Sequence, residues 1–139
     1  MTLSIRNQLP GTVAEVRTGD VMATVKVRLT GGRVLTSAVT REAVEQLGLA
    51  PGSPVSALVK ATEVSLATGR TEGLSVRNQL PGAVTRLVPG EAMAAVHVTT
   101  DDGELTAVIT AEAAEELGLF VGSDVVALIK STEVALATV

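Results

Sequence analysis

The chain has 139 residues, 15 acidic and 11 basic side chains and a formal net charge of −4, with no cysteine, one histidine and one aromatic residue, Phe120. This composition excludes a disulfide framework, a thiolate metal site and a histidine-rich one. It also argues against a single-stranded nucleic-acid binder, which relies on a basic groove and stacking aromatics. Apolar residues fall in short runs, far from the roughly 18 that span a membrane, and Met1 to Gly11 has no secretory apolar core; a cytoplasmic protein without membrane or nucleic-acid partners is expected.

The opening string LSIRNQLPG, from Leu3 to Gly11, returns as LSVRNQLPG from Leu74 to Gly82. A repeat of this kind makes each copy satisfy the same structural reading. Ser4 and Ser75 are 71 positions apart, whereas Lys60 and Lys130 are 70 apart. One residue is therefore missing from one copy, near Thr30-Gly31-Gly32 and Thr100-Asp101-Asp102-Gly103, where turn residues predict a hairpin loop able to absorb the change.

Along the first copy, Gly11 to Val16, Val21 to Leu29 and Val34 to Val39 are valine-rich with interleaved polar residues, and read as strands. Thr40 to Leu47 then has helical spacing, opens on a residue able to cap, carries Glu42 in its first turn and stops at Gly48. Pro51 and Gly52 turn the chain into two further strands, Val55 to Val59 and Glu63 to Ala67. The second copy repeats every element. The predicted fold is all-β with one short helix per repeat: two tandem OB-like five-stranded barrels. Residues 1–68 form the first domain, 69–73 the linker and 74–139 the second domain. Units this small have marginal cores, so oligomerisation is expected.

Catalysis is not expected. A nucleophilic triad needs a base beside an activated side chain, and His97 faces Lys26 in the alignment of the two copies. The polar residues kept in both copies are of another kind. Ser4, Arg6, Asn7, Gln8, Thr40, Lys60 and Thr62, with Ser75, Arg77, Asn78, Gln79, Thr110, Lys130 and Thr132, are all hydrogen-bond donors, and two in each copy are cationic. A tetrahedral dianion wants hydroxyl and amide donors, one or two cations and the N–H groups of a helix start. Such a site rejects a protonated phosphate, whose O–H meets no acceptor, at a cost of about 1–3 kcal/mol. Taken singly, each residue also has a plainer role: Arg6 and Lys60 as surface charges, Thr40 as a helix cap, Asn7 to Gly11 as a turn into a strand. The retained carboxylates Glu63 and Glu133 are accounted for by solubility.

The S-x-R-N-x-L-x-G-x-V opening, the T-x-x-[AS]-x-x-L-G-L helix and the [VI]-K-[AS]-[TS]-x-V ending resemble the molybdate-binding Mop or TOBE domain family. Two in tandem resemble the di-Mop molbindins of the ModG type. The resemblance implies an OB-like barrel per copy, a homotrimer, and molybdate or tungstate as bound ligand, held as an oxyanion between domains and subunits with no organic cofactor. By this resemblance Ser4, Arg6, Asn7, Lys60, Ala61 and Thr62 form one class of site, with Thr40 supplied by a neighbouring domain. Ser75, Arg77, Asn78, Thr110, Lys130, Ser131 and Thr132 do so in the second copy. Some relatives have a serine where this chain has Ala43 and Ala113, so one hydroxyl donor is absent from both copies. The implied role is intracellular storage and buffering of molybdenum. The alternative is a regulatory module acting on a protein partner, for which the chain shows neither a helix-turn-helix pattern nor a Walker motif.

Overall fold

The computed structural model describes residues 2–139. The first repeat supplies strands β1 (Asn7–Thr18), β2 (Met22–Leu29) and β3 (Val34–Thr40), helix α1 (Arg41–Leu47), and strands β4 (Pro54–Val59) and β5 (Ser65–Ala67). The second supplies β6 (Asn78–Pro89), β7 (Met93–Thr100), β8 (Gly103–Thr110), α2 (Ala111–Glu116), β9 (Asp124–Ile129) and β10 (Ala135–Thr138). The fold is mostly β, two five-stranded antiparallel sheets, as the valine alternation predicts. In β2 the period of two is complete: Ala23, Val25, Val27 and Leu29 are buried while Met22, Thr24, Lys26 and Arg28 point outward. The first strand is longer than its valines suggest, because Asn7 to Pro10 pair with Val59 to Ser56 of β4.

Sterics explain the repeated Leu-Pro-Gly. A Cβ on Gly11 would lie 2.6 Å from Val27 Cγ1 and 2.7 Å from the Arg28 carbonyl oxygen, and one on Gly82 would lie 2.7 Å from Val98 Cγ1. Only glycine lets β1 and β6 approach their neighbours so closely. Both strands then bulge, at Val13/Glu15 and Val84/Arg86, and bend around the core. Each helix is set by its caps. Thr40 Oγ1 accepts from the Ala43 N–H at 3.1 Å and Thr110 Oγ1 from the Ala113 N–H at 3.1 Å, while Gly48 ends the first helix at φ 63°.

The fifth strands were expected to complete their own repeats, starting at Glu63 and Glu133. They do neither. Residues Ala61–Glu63 and Ser131–Glu133 form single 3-10 turns, after which the chain crosses over. One sheet has the order β10-β4-β1-β2-β3 and the other β5-β9-β6-β7-β8. Each repeat thus donates its last strand to the other. Ala135 to Thr138 pair with Leu58 to Val55, and Ser65 to Ala67 pair with Leu128 to Val126.

Two reciprocal clamps secure the exchange. Asn7 Nδ2 donates to the Thr106 carbonyl at 2.8 Å and its Oδ1 accepts from the Thr106 N–H at 2.7 Å. Asn78 does the same to Thr36, at 2.8 and 2.7 Å. The two side chains sit in residues only 2% and 3% exposed, so these bonds satisfy the edge of a strand in the opposite repeat where water cannot. Ser37, fully buried, adds a 2.7 Å bond to the Val134 carbonyl. Behind them Val25, Val27, Leu35 and Val55 and their counterparts Val96, Val98, Leu105 and Val125 belong to one apolar core shared by both halves. Sharing offsets the small size of each repeat.

Asn7→Ala leaves the N–H and C=O of Thr106 without partners, and by the usual cost of orphaned buried groups it should destabilise the protein by about 2–4 kcal/mol. Asn78→Ala should do the same through Thr36. Urea unfolding reads this directly; a loss below about 1 kcal/mol, the net worth of one ordinary hydrogen bond, would show that the clamps do not hold the exchange.

Candidate oxyanion-binding site

The crossing places the chemistry-bearing residues. Because the chain leaves its own sheet immediately after β4, Lys60 stands at the crossing with the opposite repeat's 3-10 turn beside it, and Lys130 stands in the same relation to the first repeat's turn. A cavity of about 310 Å³ is lined by Lys60, Ile5, Glu63, Thr132 and Glu133 among others. Its counterpart, about 250 Å³, is lined by Lys130, Val76, Thr62, Glu63 and Glu133. Lysine and threonine therefore meet across repeats: Lys60 with Thr132, Lys130 with Thr62. The grouping of Lys60 with its own Thr62, natural from sequence adjacency, is not the one formed.

Ile5 and Val76 are the variable residues of the two S-x-R-N strings, so each string borders the cavity of its own lysine. Arg6 Nε donates to the Ser4 carbonyl at 3.2 Å and Arg77 Nε to the Ser75 carbonyl at 3.3 Å. This local turn leaves the terminal nitrogens of both guanidinium groups exposed. The hydroxyls of Ser4 and Ser75 have no intramolecular partner among the described residues, whereas Asn7 and Asn78 are the inter-repeat clamps. Both residues were expected among the site residues; burial and two hydrogen bonds each to backbone commit their side chains to holding the fold. Ala61 is buried and contributes only backbone, while Ser131 presents a buried Oγ without a partner.

Among the described residues, most of the cations that are not kept in both copies are paired with carboxylates, Arg28 and Arg86 being the exceptions. Arg17 and Lys26 lie 3.7 and 3.6 Å from Glu15, Arg33 lies 4.0 Å from Asp102, Arg41 lies 3.0 Å from Glu45 and Arg70 lies 3.4 Å from Glu72. None of these five cations is conserved between the two copies. The four that are, Arg6, Arg77, Lys60 and Lys130, have no carboxylate within 4.0 Å among the described residues. A cation kept in both copies and left unneutralised is available for an anion.

Thr40 and Thr110 do not join these cavities. Thr40 borders a separate hollow with Asp20, Arg41 and Glu45, and Thr110 is among the lining residues of neither lysine cavity. What sequence reasoning undervalued is the pair Glu63 and Glu133, which line both cavities rather than merely decorating the surface. Their conservation in both copies was the available signal. His97 is a strand residue whose Nδ1 lies 3.3 Å from Thr106 Oγ1, and no group of three or more histidine, aspartate or glutamate side chains gathers to hold a metal among the described residues.

The TOBE-domain family profile matches residues 3–66 and 74–136, nearly the whole of both repeats. The chain belongs to the TOBE-domain family. Over 139 residues it is 40% identical to the molybdenum-pterin-binding protein MopA of Rhodobacter capsulatus, covering 99% of this chain and 52% of MopA. The chain spans about half the length of such relatives. Over 66 residues it is 39% identical to molybdenum-pterin-binding protein 2 of Clostridium pasteurianum, which covers 48% of this chain and 97% of that shorter protein. Among solved structures, a molybdate-bound crystal form of the cytoplasmic molybdate-binding protein ModG superposes with a TM-score of 0.97 over 100% of both chains at 40% identity. These relatives are binding proteins, and no helix among the described residues of this TOBE-domain chain is long and apolar enough to cross a membrane.

The caps are testable apart from any ligand. Thr40→Ala and Thr110→Ala each remove the acceptor of one helix-start N–H, and thermal unfolding should register a loss of about 1 kcal/mol per site. Thr40→Ser should retain most of it; equal losses for alanine and serine would show that the hydroxyl does not cap.

Proposed function

We propose that this TOBE-domain chain binds molybdate or tungstate as a free oxyanion and serves as an intracellular store and buffer for it, without catalysis. The observation that carries the reading is that all four cations kept in both repeats are unpaired, with Lys60 and Lys130 each in a cavity shared with a threonine of the opposite repeat. Serine hydroxyls at Ser4 and Ser75, threonine hydroxyls at Thr62 and Thr132, the terminal guanidinium nitrogens of Arg6 and Arg77 and backbone N–H groups at Ala61 and Ser131 supply donors of the type a tetrahedral dianion accepts. The relatives named for molybdenum-pterin and molybdate binding support the same ligand. The chain's net charge of −4 does not oppose it, because at physiological salt exposed charges beyond about 8 Å are largely screened and nearby donors decide.

The site is incomplete in a single chain, and Thr40 and Thr110 complete it from other copies in a homotrimer. Exposed apolar residues such as Val21, Met22 and Met93, near the helix starts, are available to such an assembly. The regulatory alternative gains no support from the site geometry, which concerns ion capture alone.

Isothermal titration with molybdate, tungstate, sulfate and phosphate, with the oligomer mass measured on the same sample, tests this. Molybdate and tungstate should bind, several ions per trimer, and phosphate should not. A trimer that binds none of the four overturns the reading. Arg6→Ala with Arg77→Ala, or Lys60→Ala with Lys130→Ala, should weaken binding about ten- to a hundredfold, the worth of a charge-assisted hydrogen bond of about 1.5–3 kcal/mol, while the oligomer mass stays the same. An unchanged titration removes the pair concerned from the site.

A further inference from the structure

The contacts that secure the strand exchange are almost all reciprocal. An asparagine reading the backbone of a strand would read Thr36 or Thr106 equally well, and residues Glu63 to Thr68 and Glu133 to Thr138 differ only in Ser65 and Ala135. A first repeat could therefore exchange strands with the first repeat of another chain.

One polar surface breaks the symmetry, at the loops where the two repeats differ in length. The β2–β3 hairpin carries Gly31 and Arg33; the β7–β8 hairpin carries Asp101 and Asp102. The two tips touch. A Cβ on Gly31 would lie 2.6 Å from Asp102 Oδ1 and closer still to the Asp101 carbonyl oxygen. Arg33 Nη1 donates to the Gln79 carbonyl at 3.3 Å, and its Nε lies 4.0 Å from Asp102 Oδ2. The Asp102 side chain is only 1% exposed and its Oδ1 has no partner, while Arg33 remains 45% exposed.

We propose that this hairpin contact is a pairing key, which makes a first repeat exchange strands with a second repeat and not with another first or second one. Two second repeats brought together in the same way would bury two Asp102 carboxylates without an arginine, and would put an aspartate where the glycine must be. Two first repeats would meet with two Arg33 side chains and no carboxylate. A buried charge left without its counter-ion costs several kcal/mol, far more than an exposed pair gains. The partner that this surface fits is the complementary repeat, and the five-residue connection between Thr68 and Leu74 makes the one in the same chain the nearest.

The chain's lack of cysteine allows a cross-linking test on the full-length protein. Ala137 pairs with Ser56 and Ala67 with Val126, so Ser56→Cys with Ala137→Cys should form a disulfide within one chain. Ser56→Cys with Ala67→Cys reports the forbidden arrangement, in which a first repeat meets a first repeat and two chains are joined. After refolding at several chain concentrations, non-reducing electrophoresis should show almost no joined chains in the unaltered background. Asp102→Ala or Arg33→Ala should raise that fraction severalfold, and the reversal Arg33→Asp with Asp102→Arg should lower it again. Circular dichroism checks that each variant is folded; Arg33 is half exposed, so Arg33→Ala is the variant least open to misfolding. Joined chains in the unaltered background, or no increase in folded key variants, would overturn the proposal.

Discussion

Everything distinctive in this molecule follows from a topological constraint: neither repeat can complete its own sheet. After β4 the chain turns through a single 3-10 turn and enters the other sheet, so the two halves are joined through backbone hydrogen bonds at both outer edges as well as through a common core. The requirement explains why a buried asparagine side chain is spent on the backbone of a strand roughly one hundred positions away. It also explains why the two lysines are where they are. Each marks the last residue before the crossing, so the geometry that exchanges the strands is the geometry that sets a cation beside a hydroxyl of the opposite repeat.

Much of this was written in the amino-acid order. The duplication, the valine alternation of β2 and β7, and the capped helices at Thr40 and Thr110 were legible because each depends on residues close in sequence. The destination of the fifth strand was not. Its residues are nearly the same in both copies, so periodicity and composition fit either sheet equally well, and only the direction taken after Glu63 and Glu133 separates the two outcomes. The site was legible by residue type and only partly by grouping. Donors could be picked out, but burial could not, which is why Asn7 and Asn78 looked like ligands when they are clamps. The pairing of Lys60 with Thr132 depended on the crossing and was hidden with it.

The electrostatics are resolved locally rather than globally. On the proposed function, an acidic chain accommodates an anion because the cations kept in both copies are unmatched, with Lys60 and Lys130 at the crossings, while most of its other arginines are tied to neighbouring carboxylates. Glu63 and Glu133 stand in the same cavities as those lysines without closing on them within salt-bridge distance. They lower the positive potential there and so set a limit on how strongly an unspecific anion is attracted. On that reading, selectivity rests on the directional donors, the hydroxyls and backbone N–H groups, which reward the right shape rather than charge alone.

The exchanged strands also change what the linker means. In most two-domain chains the connecting peptide is what keeps the halves together, and cutting it releases them. Here the stretch from Thr68 to Leu74 is the least of the joints, since each half carries an edge of the other's sheet and cannot leave without tearing its own partner open. Fusing two repeats in one chain has therefore added proximity rather than attachment. A single repeat would have to search solution for the strand it lacks, at a rate and stability that fall as the protein is diluted; the tandem chain carries that strand with it, and its pairing no longer depends on how many copies the cell happens to hold.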